Sequence, residues 1–348
     1  MLREIKVYLQ DVPFYGTGDS RLAIRDGGLH YQGSEGTRLI DPPYDLRTLS
    51  GGPSAGMQDG PLASARFSSP VDVAVARDGQ LFVADTGNNA IRRVTVGGVE
   101  TIATGFDAPT AVVLEASGSL LVADTGNCKI RRVQQDGTVT TVSGSDCGYR
   151  DGDALQARFL SPTGLTVLPS GAIAVADTGN NCIRLIAGGT VNTIAGSPAS
   201  GFQDGPGIDA RFDQPSGLEF DPLTNRIVIA DTGNHAVRAL AEGLVVTIAG
   251  TGEPGDSDGA PGSSRFDGPT DVAIDDDGLI FVADTSNNVI RRISRDVITI
   301  AGSGWEGLLD GQGLSSRLTA PGGLTFANAA LYVADTGNSA IRSLLPAP

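Results

Sequence analysis

Side chains that could do chemistry are few in this sequence of 348 residues, and most are carboxylates: 40 Asp and Glu against 25 Lys and Arg, two histidines and three cysteines. Three acids stand out because they break a pattern. Gly164, Gly217 and Gly323 each stand two residues after a proline, and at the matching places lie Asp72 and Asp271; Glu219 lies close by. Such carboxylates, brought to one mouth of a channel, could hold Ca²⁺ or Mg²⁺, hard cations that take oxygen ligands. Asp72, Asp271 and Glu219 are therefore the candidate metal ligands, against the plainer reading of a solvated channel, and no cofactor is otherwise expected. A second set is Cys128, Cys147, Cys182 and His235. Zinc holds its ligands at roughly 2.0 to 2.3 Å, so these four serve only if the fold gathers them. No Gly-x-Ser-x-Gly elbow and no phosphate-cradling glycine loop before a helix is present, so hydrolase chemistry finds no support.

The elements that must position these residues are repeats. Val83-Ala-Asp-Thr-Gly-Asn88 returns with its Asp at 124, 177, 231, 284 and 335, after 39, 53, 54, 53 and 51 residues. Around each copy the pattern is constant. In the third, Pro162 opens a short apolar run, Gly171 marks a turn, Ala172–Asp177 is a second run, Cys182 opens a third, and Thr190–Gly196 is a fourth. Four short strands with turn residues between them read as an antiparallel meander, and no long window has helical periodicity. One such sheet cannot bury both faces. Six stacked radially can, which predicts an all-β, six-bladed β-propeller of four-stranded blades.

The ends of the repeat region support a closed ring. The sixth repeat stops after three strands, and Asp45–Gly51, just before the first, matches the fourth-strand pattern. This N-terminal strand is expected to complete the last blade. The linkers elsewhere run from Asp-Gly through Arg-Phe to Pro, but between the first two repeats only Thr104–Pro109 remains. The ring should have one low wall there, where a partner could approach.

A net charge of −15 weighs against nucleic acid, which needs a basic footprint, and against anionic membrane surfaces. No run reaches the roughly 20 apolar residues of a membrane span, and no secretory signal is visible. The expectation is a soluble, cytoplasmic protein, with an extracellular or surface assembly as the alternative. Cys128 and Cys147 flank one blade's third and fourth strands and could approach each other, but two free thiols are the expectation in the cytosol. Cys182 shares a register with Ala90, Ala236 and Ala340 and reads as a packed thiol.

Pro-x-Gly, an apolar strand, Val-Ala-Asp-Thr-Gly-Asn, Ile-Arg and Val-x-Thr-Ile-Ala-Gly together resemble the NHL-repeat family over roughly residues 45 to 345. The resemblance implies the propeller and little about function, since the family includes sensors, protein- or RNA-binding modules, adhesion segments and a peptide-processing lyase. That zinc lyase uses several histidines, and this chain has only His30 and His235. The six motif Asp residues are expected to bond nearby backbone N–H groups, with the motif Gly supplying positive φ; Ser286 replaces that Gly once. Arg92-Arg93, Arg131-Arg132 and Arg291-Arg292 are expected to pair with blade carboxylates. Function more often lies where repeats differ. Asn89, Lys129, Asn181, His235, Asn288 and Ser339, in the turns after the motif, are the candidate partner-binding residues.

Residues 1–43 do not repeat. Glu4–Leu9, Arg21–Arg25, Leu29–Tyr31 and Thr37–Ile40 read as short strands, with a hairpin between Ser20 and Ser34. The expected organisation is a β-rich cap or docking arm over 1–43 and a propeller over 44–348. The expected function is a non-enzymatic interaction or scaffold protein with a protein or peptide partner, docked in a larger complex through residues 1–43. The rivals are a metal-dependent lyase or hydrolase at the channel mouth and a small-ligand sensor.

Overall fold

The computed structural model describes residues 21–25, 28–33, 36–40 and 44–346, and the chain divides into two units between residues 43 and 44. In the first, Arg21–Arg25, Gly28–Gly33 and Gly36–Ile40 form a three-stranded antiparallel sheet in which Arg21 lies opposite Gln32 and Leu29 opposite Ile40. The strand expected over Glu4–Leu9 lies outside the described residues.

The second unit is a six-bladed β-propeller, with blades numbered here in chain order. Blade three is representative. Pro162–Val167 is its inner strand, followed by Ile173–Asp177, Cys182–Ala187 and the outer Thr190–Gly196. Pairing is antiparallel throughout, with Pro162 opposite Asp177, Asp177 opposite Cys182 and Cys182 opposite Gly196. Tyr44–Gly51 pairs along Ala340–Pro346 and supplies the outer strand of blade six, as its sequence pattern implied. That strand ties the two ends of the ring into one sheet.

The reason for this packing is legible in the second strands. Ile173–Asp177 is buried on both faces. Side chains alternate across a strand, so Ile173 and Val175 pack toward blade two while Ala174 and Ala176 pack toward blade four. Six apolar clusters result, one in each gap between neighbouring blades. Every gap also receives a phenylalanine or leucine from a linker: Phe67, Phe159, Phe212, Phe266 and Leu318 are wholly buried, and Phe106 of the short linker is buried between blades one and two.

The linkers do more than connect, a role not evident in the sequence. Gly152–Asp153, Gly205–Pro206 and Gly311–Gln312 each add a two-residue fifth strand to the outer edge of blades three, four and six. Gly60 and Gly259 make single bridges to Val99 and Val297 in blades one and five. Blade two has no such strap, because the short linker before it has none to give.

Candidate functional site

Most of the charged side chains in the repeats are used to build the blades. In blade three, Asp177 Oδ1 accepts the Leu160 N–H at 2.7 Å, and its Oδ2 accepts from Asn180 at 2.9 Å and Arg184 at 2.5 Å. Arg184 continues to Asp151 at 2.5 Å and to the carbonyls of Arg150 and Arg158. Its guanidinium lies over the rings of Tyr149 and Phe159. Burial pushes the Asp177 carboxyl up, against the lowering pull of Asn180, the Leu160 N–H and Arg184. The same Asp–Arg–Asp chain joins Asp85, Arg92 and Asp59; Asp231, Arg238 and Asp204; Asp284, Arg291 and Asp258; and Asp335, Arg342 and Asp310. The expected pairing of third-strand Arg residues with blade carboxylates therefore holds for Arg92 and Arg291, and for Arg93, which meets Glu100. In blade two both members pair as well, Arg131 with Asp124 and Arg132 with Glu115.

The motif threonine links blades. Thr86, Thr125, Thr178, Thr232 and Thr285 each donate to the carbonyl of the next blade's first proline, and Thr336 donates to Pro70 at 2.8 Å, completing the circle. The motif glycine does not supply positive φ, contrary to expectation. The residue after the motif Asn does: Asn89, Cys128, Asn181, His235, Asn288 and Ser339 are all left-handed. Glycine is needed for space, since a Cβ at Gly179 would come 2.7 Å from the Leu160 carbonyl oxygen. In blade five the side chain of Ser286 fits beside Gly268, where a Cβ would stand 3.0 Å from its hydroxyl.

The candidate partner-binding residues of these turns mostly face the next blade. Asn89, Asn181 and Asn288 accept the N–H of Ala108, Gln214 and Ala320, each at 2.8 Å. His235 Nδ1 accepts from Gly268 at 3.0 Å, and Ser339 from Ser69 at 3.5 Å. Lys129 is half-buried at the start of the third strand of blade two. At the sixth position Cys128 is instead bonded to Cys147, with Cα atoms 5.2 Å apart, which corrects the expectation of two free thiols. The bond ties the turn to the following loop, where Asn181 in blade three makes only a hydrogen bond to the Pro198 carbonyl at 3.2 Å. Cys182 is a free, buried thiol whose acidity burial suppresses.

The central channel, of about 470 Å³, is where the other candidates meet. Asp72 Oδ2 accepts the Val112 N–H of blade two at 2.8 Å, Asp271 Oδ2 the Leu324 N–H of blade six at 2.7 Å, and Glu219 Oε2 the Ile274 N–H of blade five at 2.9 Å. Each carboxylate thus bridges to the blade that follows its own. The flanking glycines give them room, since a Cβ at Gly323 or Gly217 would overlap Asp72 or Asp271. All three residues are half-buried along the channel wall. Burial therefore pushes Asp72 up to about 7. It pushes Glu219 up to about 8, with the Asp72 charge adding to the effect. Burial and the same charge hold Asp271 well above the usual carboxylate range. Among the described residues, no three His, Cys, Asp or Glu side chains lie together as metal ligands.

Fold, motif and channel together define a class: a six-bladed β-propeller in which NHL repeats are found. The NHL-repeat family model matches residues 67–93, 159–184 and 266–292, the hearts of blades one, three and five. Chicken NHL repeat-containing protein 2 is 28% identical over 78% of this chain and 44% of its own length. The chloroplast protein SUPPRESSOR OF QUENCHING 1 of Arabidopsis thaliana is 35% identical over 38% of this chain and 14% of its own. The chain thus spans less than half the length of these curated relatives. A solved propeller from Bacteroides thetaiotaomicron superposes with a TM-score of 0.72 at 16% identity, covering 94% of this chain and 87% of that one; this likeness is one of fold. No helix among the described residues is long and apolar enough to cross a membrane.

Proposed function

We propose that this chain is a non-enzymatic binding propeller that presents one loop face to a protein or peptide partner, with residues 1–43 as a second attachment in a larger assembly. The observation that carries this reading is the contrast between bonded and free side chains. The recurring Asp, Thr, Asn and Arg residues hold the blades. The linker loops on the motif face, to which the motif asparagines bond, instead expose large apolar groups. Trp305 is 73% exposed and Met57 52%; Tyr149 and Phe202, which stand where Met57 does, each carry a blade arginine on one ring face. Aromatic side chains with free faces are the usual anchors of protein interfaces. A net charge of −15 favours a neutral or basic partner over nucleic acid. Cross-linking of the full-length protein in its native extract, read by mass spectrometry, tests this. Cross-links from the 52–58 and 302–309 loops that vanish with Trp305→Ala and Met57→Ser are expected. Undiminished cross-linking of the double variant would exclude the face.

The channel favours a second reading, a small-ligand site in which Asp72, Asp271 and Glu219 face a bound cation, Ca²⁺ or Mg²⁺ included, as a lyase or hydrolase would use it. A thermal shift with either ion that disappears in Glu219→Gln would support it.

A further inference from the structure

Blade two lacks what every other blade has over its outer strand. In the other five, an Asp-Gly step from the preceding linker lies antiparallel on that edge. Its glycine bonds the outer strand, as Gly60 does with Val99 and Gly152 with Val191. Its aspartate caps the third-strand arginine and accepts the N–H of an outer-strand threonine: Asp59 from Thr101, Asp151 from Thr193, Asp204 from Thr247, Asp258 from Thr299 and Asp310 from Thr48, all at 3.0 to 3.1 Å.

Blade two keeps the receiving half of this arrangement. Its outer strand, Val139–Ser143, sits at the edge of a four-stranded sheet, and none of the described residues pairs beyond it. Val139 lies opposite Val133 and Thr141 opposite Arg131, the registers that Val99 with Val94 and Thr101 with Arg92 hold in blade one. Thr140 and Thr141 are exposed. Arg131 has one carboxylate, Asp124 at 3.2 Å, and its side chain is 19% exposed where its five counterparts are fully buried. The linker from Thr104 to Pro109 is too short to reach across this edge.

We propose that the outer edge of blade two is a docking site for an extended segment of another polypeptide carrying an Asp-Gly step. The segment adds a strand antiparallel to Val139–Ser143. Its glycine pairs with Val139, and its aspartate takes the Thr141 N–H and the open side of Arg131. The chain's own straps show five times that this edge chemistry accepts such an occupant. An unpaired strand edge is a ready template for strand addition, and a partly exposed arginine with a single acid selects a second acidic side chain. The site lies on the rim and is independent of the loop-face reading.

A fluorescent peptide with the sequence of residues 148–155, the blade three strap, is the probe. Anisotropy against the full-length protein should show saturable binding, and hydrogen exchange should show new protection confined to residues 139–143. Replacing the peptide's Asp151 by asparagine should weaken binding about tenfold. Thr141→Pro, which removes the outward N–H, should abolish binding with an unchanged melting temperature; if that variant misfolds, the asparagine peptide carries the test. Absence of binding at millimolar peptide, equal affinity of the two peptides, or protection elsewhere would overturn the proposal. So would outward amides of Val139 and Thr141 that exchange slowly before peptide is added: the edge would then be covered by this chain's own residues or, if the protection rises with protein concentration, by a second copy.

Discussion

Blades two and three share the same four strands and the same Asp-Thr-Gly-Asn turn, yet their central arginines live in different surroundings. Arg184 is fully buried between two carboxylates and over two aromatic rings. Arg131 has one carboxylate and an open side. The difference is the strap. A linker that supplies an acid, two carbonyls and a ring turns a solvated arginine into the buried centre of a blade. A linker too short to do so leaves an edge. Blade two compensates covalently, since it alone holds its turn to the next loop by a disulfide.

The sharpest way to break this comparison is to truncate both arginines. Arg184→Ala leaves Asp177 buried without its counter-ion and should cost about 3–5 kcal/mol. Arg131→Ala removes a partly solvated pair and should cost about half as much. Urea unfolding of the two variants checks this, and equal losses would mean that the strap does not decide the arginine's worth. Reducing the Cys128–Cys147 bond, whose cysteines are 19 residues apart, should cost about 3 kcal/mol on the loop-entropy scale. Asn181→Ala, which breaks the hydrogen-bonded counterpart in blade three, should cost only about 1 kcal/mol. Melting with and without reductant measures the first, and the variant's melt measures the second.

The channel carboxylates give a pH prediction of intermediate size. Glu219 titrates near 8 in the fold and near 4.5 in the unfolded chain. The folded state therefore holds the extra proton between those values, and stability from this group is greatest below 4.5 and declines as pH rises to 8. Glu219→Gln keeps the acceptor for Ile274 and removes the charge. It should flatten that decline and raise stability at pH 9 by about 1–2 kcal/mol, a figure reduced because channel water partly solvates the group. A melting series from pH 5 to 9 reads the slope. The last effect concerns blade five. Gly268→Ala brings a methyl against Ser286 and holds alanine at a φ of +56°, and should cost about 1–2 kcal/mol, of which Ser286→Gly should restore the contact part. Additive losses in the double variant would show that the two positions are not matched.

Much of this was legible in the sequence because a repeat states its fold six times. The periodic Asp, the turn glycines and the stray strand Asp45–Gly51 were enough for six blades and a closed ring. The pairing of Arg residues with blade acids was also legible. The strap was not, because Asp59-Gly60 and its equivalents look like ordinary loop residues until the outer strand is beside them. Nor were the roles of Asn89, Asn181 and His235. Variation between repeats suggested a binding face, whereas their side chains accept N–H groups of the next blade, a partner 19 to 33 residues away in the chain.

The sequence by itself determined the number of blades, the position of closure and the one short wall, since these depend on local strand and turn chemistry repeated at fixed intervals. Only the tertiary structure decided that Cys128 meets Cys147, that Asp72, Asp271 and Glu219 share one channel where the Asp72 charge raises the proton affinity of the other two, and that among the described residues blade two alone is left with an open edge. Those depend on distances between residues far apart in the chain, which the radial stacking of sheets sets and no local pattern encodes.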